Sequence, residues 1–88
     1  MIVADEEHEA GARITLERGP GRTPAPFTIT CGVYGWMVHT RFFAIELEAR
    51  ADYDAMKTEL ETLARDCGAT DNYEKMVDPI QQFVDRFP

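Results

Sequence analysis

The sequence has few residues of the kinds that cross-link small proteins. It contains two cysteines and two histidines among 88 residues. Cys31 and Cys67 allow at most one disulfide bridge, neither lies in a Cys-x-x-Cys pair, and two histidines are too few for a histidine-rich metal site. We therefore expect no disulfide scaffold, no bound metal and no other cofactor. Because a chain of this length has a thin core, self-association is the remaining common source of added stability.

Long apolar runs and clusters of basic residues are also missing. No run of 18 apolar residues occurs, so we expect no transmembrane helix, and the residues after Met1 lack the basic flank and apolar run of a secretion signal. The chain has 16 acidic and 9 basic residues, for a net charge of −7. Nucleic acids and anionic membranes are bound through clustered Lys and Arg. We therefore expect neither as a partner. Because neither a secretion signal nor a transmembrane helix is predicted, we also expect a cytoplasmic location.

What is present is typical of a folded chain. Hydrophobic residues make up 44% and aromatic residues 10% of the sequence, which is too much for a disordered protein. The length has room for one domain, residues 1–88. Residues 1–10 are expected to form a loose acidic N-terminal arm, although Ile2 and Val3 could pack as a short strand. The carboxylates of this arm are Asp5, Glu6, Glu7 and Glu9.

Alternation of apolar and polar residues predicts three antiparallel strands. The first lies around Ile14 and Leu16, and the second covers residues 27–31. Residues 19–26 contain three prolines and therefore predict a loop. A turn with two glycines joins the second strand to the third, which we expect over residues 36–47.

The third predicted strand has bulky residues at both its odd-numbered and its even-numbered positions, so both of its faces carry large side chains. If Ile45 and Leu47 faced the core in a regular pleat, His39 and Arg41 would face it too, at a desolvation cost. A β-bulge near residues 42–43 would exchange the faces. Alternatively, both faces are covered, one by helices and one by another subunit. The sequence leaves both possibilities open.

From about residue 51 the apolar period becomes helical. The first stripe predicts a helix that ends at Gly68, and it consists of Tyr53, Met56, Leu60, Leu63, Ala64 and Cys67. A second stripe consists of Tyr73, Met76, Val77, Ile80, Phe83, Val84 and Phe87. Pro79 interrupts it, and we expect a helix that ends at Asp78 followed by a new one, in preference to one kinked helix. The sequence thus predicts an α+β fold, a three-stranded antiparallel meander followed by two or three helices packed on one face.

No residue pattern identifies a reaction. Cys31 and His39 are the residue types of a thiol–imidazole pair, but Cys31 belongs to an apolar row, which favours packing. We nominate no catalytic residue and expect the protein not to be an enzyme. The density of aromatic residues predicts a protein-interaction module, a homodimer that associates through the sheet face or edge around residues 34–45. The predicted contact residues are Tyr34, Trp36, His39, Arg41 and Phe43.

Two other functions stay open at this point. A small-ligand-binding protein or minor enzyme would use a pocket near His39 and Arg41, with Tyr34 within reach. An acidic inhibitor or immunity-type protein would bind a basic partner, an idea that rests on small size and a net charge of −7. Binding of this last kind would weaken steeply with salt.

Overall fold

The computed structural model describes residues 1–20 and 24–88. Within them, four strands precede two helices: β1 (Ile2–His8), β2 (Ala12–Arg18), β3 (Phe27–Val33), β4 (Met37–Phe43), α1 (Glu46–Gly68) and α2 (Tyr73–Arg86). The strands form one antiparallel meander in the order β1-β2-β3-β4. The helix α1 packs on one face of the sheet against β2, β3 and β4, and α2 packs against α1. The predicted α+β class and the order of meander then helices are confirmed, with one strand more than expected.

Residues 2–8 form an edge strand, so the expectation of a loose acidic arm is wrong. In the β1–β2 register Asp5 lies opposite Thr15, and Glu7 lies opposite Arg13. The Asp5 carboxylate accepts hydrogen bonds from Arg13 Nη2 at 2.6 Å and from the Thr15 hydroxyl at 2.9 Å. Hydrogen bonds from side chains of β2 thus hold this acidic segment in the sheet, although its composition alone predicts a solvent-exposed arm.

The core lies between β2, β3 and α1. Every second residue of β3 is buried, and these are Phe27, Ile29, Cys31 and Val33. The alternation therefore continues two residues beyond the predicted second strand. All six members of the first predicted helical stripe are buried on α1, which confirms that stripe. Burial of alternate strand residues against one helix face is the two-layer arrangement that the change of period indicated.

The strand β4 ends at Phe43, four residues earlier than expected. Ile45 is the residue before α1 and Leu47 lies in its first turn, and both are exposed. Glu46 and Arg50 form an i,i+4 ion pair of 3.6 Å that supports a helical start. The prediction of strand for residues 44–47 is therefore wrong, because good helix formers follow Phe43 and local propensity prevails there.

The parity conflict of the third predicted strand is resolved by a regular pleat. The β3–β4 register runs unbroken along β4, so the bulge near residues 42–43, one of the two possibilities that the sequence left open, is not formed. Odd-numbered residues of β4, including His39 and Arg41, lie on the helix side of the sheet, and even-numbered residues lie on the open side. The register shift occurs instead in β1, between Ile2 and Ala4.

Residues 73–86 form a single helix with Pro79 inside it, so the favoured division at Asp78 is wrong. Proline within a helix removes one hydrogen bond and costs about 3 kcal/mol. Met76 on one side of Pro79 and Phe83 on the other are both buried. Tyr73 and Val77 of the predicted stripe are exposed, and Ile80 and Val84 are partly buried against the core. Because this packing continues on both sides of the proline, it offsets the lost hydrogen bond.

The described turns follow the glycines and prolines. Gly35 takes a φ of +81° in the β3–β4 turn, where the Trp36 N–H donates to the Val33 carbonyl at 2.9 Å. At the ends of the predicted proline-rich loop, the Gly19 N–H donates to the Pro26 carbonyl at 2.7 Å. Residues 21–23 of that predicted loop lie outside the described residues. In the described part of the chain, no helix combines the length and the apolar character needed to cross a membrane.

Candidate interaction site at the β4 edge

The five predicted contact residues lie on different sides of the molecule. Tyr34 and Trp36 belong to the turn between β3 and β4, whereas His39, Arg41 and Phe43 lie on the helix side of β4. The structure therefore brings the last three together and separates them from Tyr34. Tyr34 and Trp36 line a concavity that His39, Arg41 and Phe43 do not line.

His39 and Arg41 are engaged by the helical layer and by the last residues of the chain. His39 Nε2 lies 2.5 Å from the carbonyl oxygen of Phe87. Arg41 donates through Nη1 to Asp52 at 2.9 Å and through Nε to the Pro88 carbonyl oxygen at 3.0 Å. Only 12% of the Arg41 side chain is exposed. These bonds offset the desolvation cost of the inward-facing polar groups and fasten β4 to the helices.

Cys31 lies opposite His39 in the β3–β4 register, but its thiol is not activated. Burial raises the pKa of Cys31 to about 11, so the thiol is protonated at neutral pH. A nucleophilic cysteine needs the opposite shift. Cys67 is also buried, and burial raises its pKa as well. Both cysteines therefore act as small apolar core residues.

The two aromatic residues of the turn contact different elements. The Tyr34 hydroxyl donates a hydrogen bond to Glu7, and that bond raises the pKa of Tyr34. The Trp36 ring centroid lies 4.6 Å from that of Tyr73 at the start of α2. The turn is thus tied to β1 on one side and to α2 on the other.

Within the described residues, the sheet ends in two edges of opposite character. The strand β1 carries Asp5, Glu6 and Glu7 in its middle, whereas β4 contains no acidic residue. Charged side chains on an edge strand discourage pairing with another chain. The formally charged residue of β4, Arg41, is directed inward. Charged side chains therefore disfavour strand pairing at the β1 edge, whereas the β4 edge has no such outward-facing charges.

The carboxylates of β1 are also part of the fold. The Tyr53 hydroxyl donates to Glu6 at 2.6 Å and Lys57 Nζ lies 3.0 Å from Glu6, and these contacts lower the pKa of that carboxylate. Hydrogen bonding to Arg13 lowers the pKa of Asp5. The acidic residues thus hold β1 to α1 and β2 while they make this edge unfavourable for a second strand.

The absence of acidic residues extends well beyond β4. All 16 acidic residues of the chain lie outside residues 18–45. That segment contains β3, the following turn and β4. In a protein with a net charge of −7, β3, the following turn and β4 therefore contain no acidic residue, and Asp52, which reaches β4 from α1, is paired with Arg41. Two copies can approach at this edge with less mutual repulsion than at β1.

The same edge exposes apolar side chains. Val38 and Phe42 on the open side of β4 are 79% and 67% exposed, and Ile45 and Leu47, which follow β4 in the sequence, are 53% and 79% exposed. Contiguous exposed apolar groups mark association sites more often than isolated ones do. Val38 and Phe42 are not among the predicted contact residues, although the apolar residues on both sides of the third predicted strand are the signal that could have identified them.

A shallow concavity of about 480 Å³ lies beside Val38 on the open side of the sheet. The concavity exists because Gly32, which pairs with Val38, has no side chain. Thr30 and Tyr34 also line it. A Cβ on Gly32 would lie 3.0 Å from the Met37 carbonyl oxygen. Glycine inside a strand often marks a close approach of other atoms. His39 and Arg41 do not line this concavity, because they lie on the opposite face.

Within residues 1–20 and 24–88, no group of three or more His, Cys, Asp or Glu residues is placed to hold a metal ion. Comparison with protein-family models, with curated proteins and with solved structures gives no match for this chain. The geometry of the β4 edge is therefore the basis on which a function can be proposed.

Proposed function

We propose that the protein is a non-catalytic interaction module that forms a homodimer by pairing the β4 edges of two copies. The observation that carries this proposal is the contrast between the two edges of the sheet. The β1 edge has three carboxylates, and the β4 edge has none and is bordered by exposed Val38 and Phe42.

The backbone of β4 supplies the first part of the interaction. In an antiparallel ladder, a strand paired on one side directs the N–H and C=O groups of alternate residues to its other side. Among the described residues no strand lies on that outer side of β4. Seven residues span about 24 Å, which is long enough for several hydrogen bonds to an added strand.

A second copy is the partner that fits this edge best. Two β4 strands related by a two-fold axis pair antiparallel, so each presents the same acid-free, partly apolar surface to the other. Pairing of β4 with the β1 edge of another copy would set apolar residues against carboxylates. That contact would also be head-to-tail and would leave free edges at both ends. Only the symmetric arrangement closes.

The expected affinity follows from the size of the contact. One pair of strand edges with a few apolar side chains lies at the small end of protein interfaces, below about 1,200 Å² of buried surface. We therefore expect a dissociation constant of the order of micromolar, which corresponds to about −8 kcal/mol.

Sedimentation velocity over about 1 to 100 µM protein tests the proposal, because this range brackets the expected affinity. The wild-type chain should change from monomer to dimer with increasing concentration. Val38→Lys and Phe42→Lys should each raise the dissociation constant at least tenfold, because a lysine at either position places charge in the contact. Ile2→Lys is the matched control, since Ile2 is an exposed apolar residue on the opposite edge. A monomer throughout the range, or an equal effect of Ile2→Lys, would contradict the proposal.

The two alternative functions lack a supporting observation. A ligand pocket at His39 and Arg41 would need free polar groups, but these side chains already bind Phe87, Asp52 and Pro88. The idea of an acidic inhibitor still rests on net charge and size. We therefore propose neither.

A further inference from the structure

We infer that the two β4 strands pair in the register that sets Thr40 opposite Thr40 of the second copy. This inference rests on the dimer proposed above and specifies which residues meet in it. Three features of β4 carry it: the parity of its exposed residues, its length and the order of its side chains.

Parity restricts the possible registers. Directly opposite residues of an antiparallel pair have side chains on the same face of the sheet. Val38 and Phe42 are exposed on the open side, and His39 and Arg41 face the helices. To keep the two helical layers on one side, even-numbered residues must pair with even-numbered ones. One residue of β4 then lies opposite its own copy, on the two-fold axis.

The length of β4 favours its middle residue for that position. With Thr40 on the axis, all seven residues of Met37–Phe43 find a partner within the other strand. Moving the axis by one residue leaves two residues of each strand unpaired. Because ladder hydrogen bonds are the main source of affinity in strand addition, the longest overlap is preferred.

The side chains agree with this register. With Thr40 on the axis, Val38 meets Phe42 of the second copy on the open side, and Met37 meets Phe43 of the second copy on the helix side. Apolar residues therefore face apolar residues at both positions, and both contacts occur twice by symmetry. The two threonines on the axis form a favourable cross-strand pair.

Neighbouring registers lose these matches. An axis at Arg41 would set two guanidinium groups directly opposite each other, which is unfavourable. An axis at His39 would set Val38 against Thr40 of the second copy and move Phe42 beyond the start of the other strand. The register centred on Thr40 is the one of these three that sets apolar residues against apolar residues at both ends of the strand. In its middle, His39 lies opposite Arg41 of the second copy, and both side chains are already bonded within their own copy.

The concavity at Gly32 gives this register a place for the large ring. With Thr40 on the axis, Phe42 of the second copy lies next to Val38, which forms part of the rim of the concavity. Gly32 is in the same cross-strand row as Val38 and presents no side chain. The ring can therefore pack over Val38 without a collision further along the row.

Cysteine cross-linking tests the register. The three single variants are Thr40→Cys, Val38→Cys and Phe42→Cys, each treated with a mild oxidant and, separately, with a short bis-maleimide that tolerates imperfect disulfide geometry. Wild type is the control, because Cys31 and Cys67 are buried. Thr40→Cys should form covalent dimers at least tenfold faster than the other two variants, since only residue 40 lies opposite itself.

Sedimentation of the unoxidised variants separates the two proposals. A dimer whose fastest cross-link forms at residue 38 or 42, or at equal rates at all three positions, would overturn the register and leave the dimer standing. Variants and wild type that are monomeric at the highest concentration would overturn both. A dimer with rapid cross-linking at residue 40 alone supports both.

Discussion

The His39 imidazole holds the carbonyl oxygen of Phe87 at 2.5 Å across 48 positions of sequence. The Phe87 ring lies 5.1 Å from the Phe83 ring and is buried, so this contact connects an edge strand to the end of α2. The His39–Phe87 contact and the hydrogen bonds of Arg41 thus attach the helix-side face of β4 to the helices and to the end of α2. These contacts fix the position of β4. They leave its outer edge and its open face accessible to another molecule.

The bonds of Arg41 should contribute to stability. Arg41→Leu removes the donor to Asp52 and Pro88, and we expect the free energy of unfolding to fall by about 1–2 kcal/mol in urea denaturation. Arg50→Leu is the matched control, because Arg50 forms an exposed i,i+4 ion pair with Glu46, and it should cost less than about 0.5 kcal/mol. Equal losses for the two variants would contradict a special role for Arg41.

Pro79 should lower the stability of α2. Pro79→Ala supplies the missing backbone donor inside the helix, and we expect the free energy of unfolding to rise by about 1–3 kcal/mol. Asn72→Ala calibrates the measurement, because the Asn72 side chain caps the helix by accepting from the Glu74 N–H, and its loss should cost about 1 kcal/mol. A neutral or destabilising effect of Pro79→Ala would contradict the expectation that Pro79 lowers the stability of α2.

The acidic residues of β1 should make stability depend on pH below about 5. The folded state lowers the pKa of Asp5 and Glu6, so their stabilising effect is complete above the pH at which free carboxylates titrate, near 4. It is lost as the pH falls through the lower folded-state pKa values. Denaturation of Asp5→Asn at pH 7 and at about pH 3 should therefore show a smaller acid-induced loss than wild type. Glu48→Gln, an exposed change on α1, is the control, and an equal flattening there would contradict this assignment.

Local signals in the sequence predict the strands β2 and β3 and the helix α1. Alternation at Ile14 and Leu16 and the helical stripe from Tyr53 to Cys67 are complete within each element, so no distant residue is needed to identify them. These parts are confirmed.

The remaining elements depend on contacts between distant residues. The strand β1 needs Arg13 and Thr15 as donors to Asp5, and α2 continues through Pro79 because its buried face packs on the core. The inward placement of His39 depends on Phe87, at the other end of the sequence. The contrast between the two edges becomes visible only once β1 is known to be a strand.

Amide hydrogen exchange, measured residue by residue at low and high protein concentration, tests β4 pairing most directly. At high concentration, the outward-directed amides of β4 should exchange at least tenfold more slowly than at low concentration, because they bond to the second copy. The outward-directed amides of β1 should exchange at the same fast rate in both samples. If the outward amides of β4 remain fast at every concentration, or if protection appears at β1 instead, the proposed dimer is contradicted.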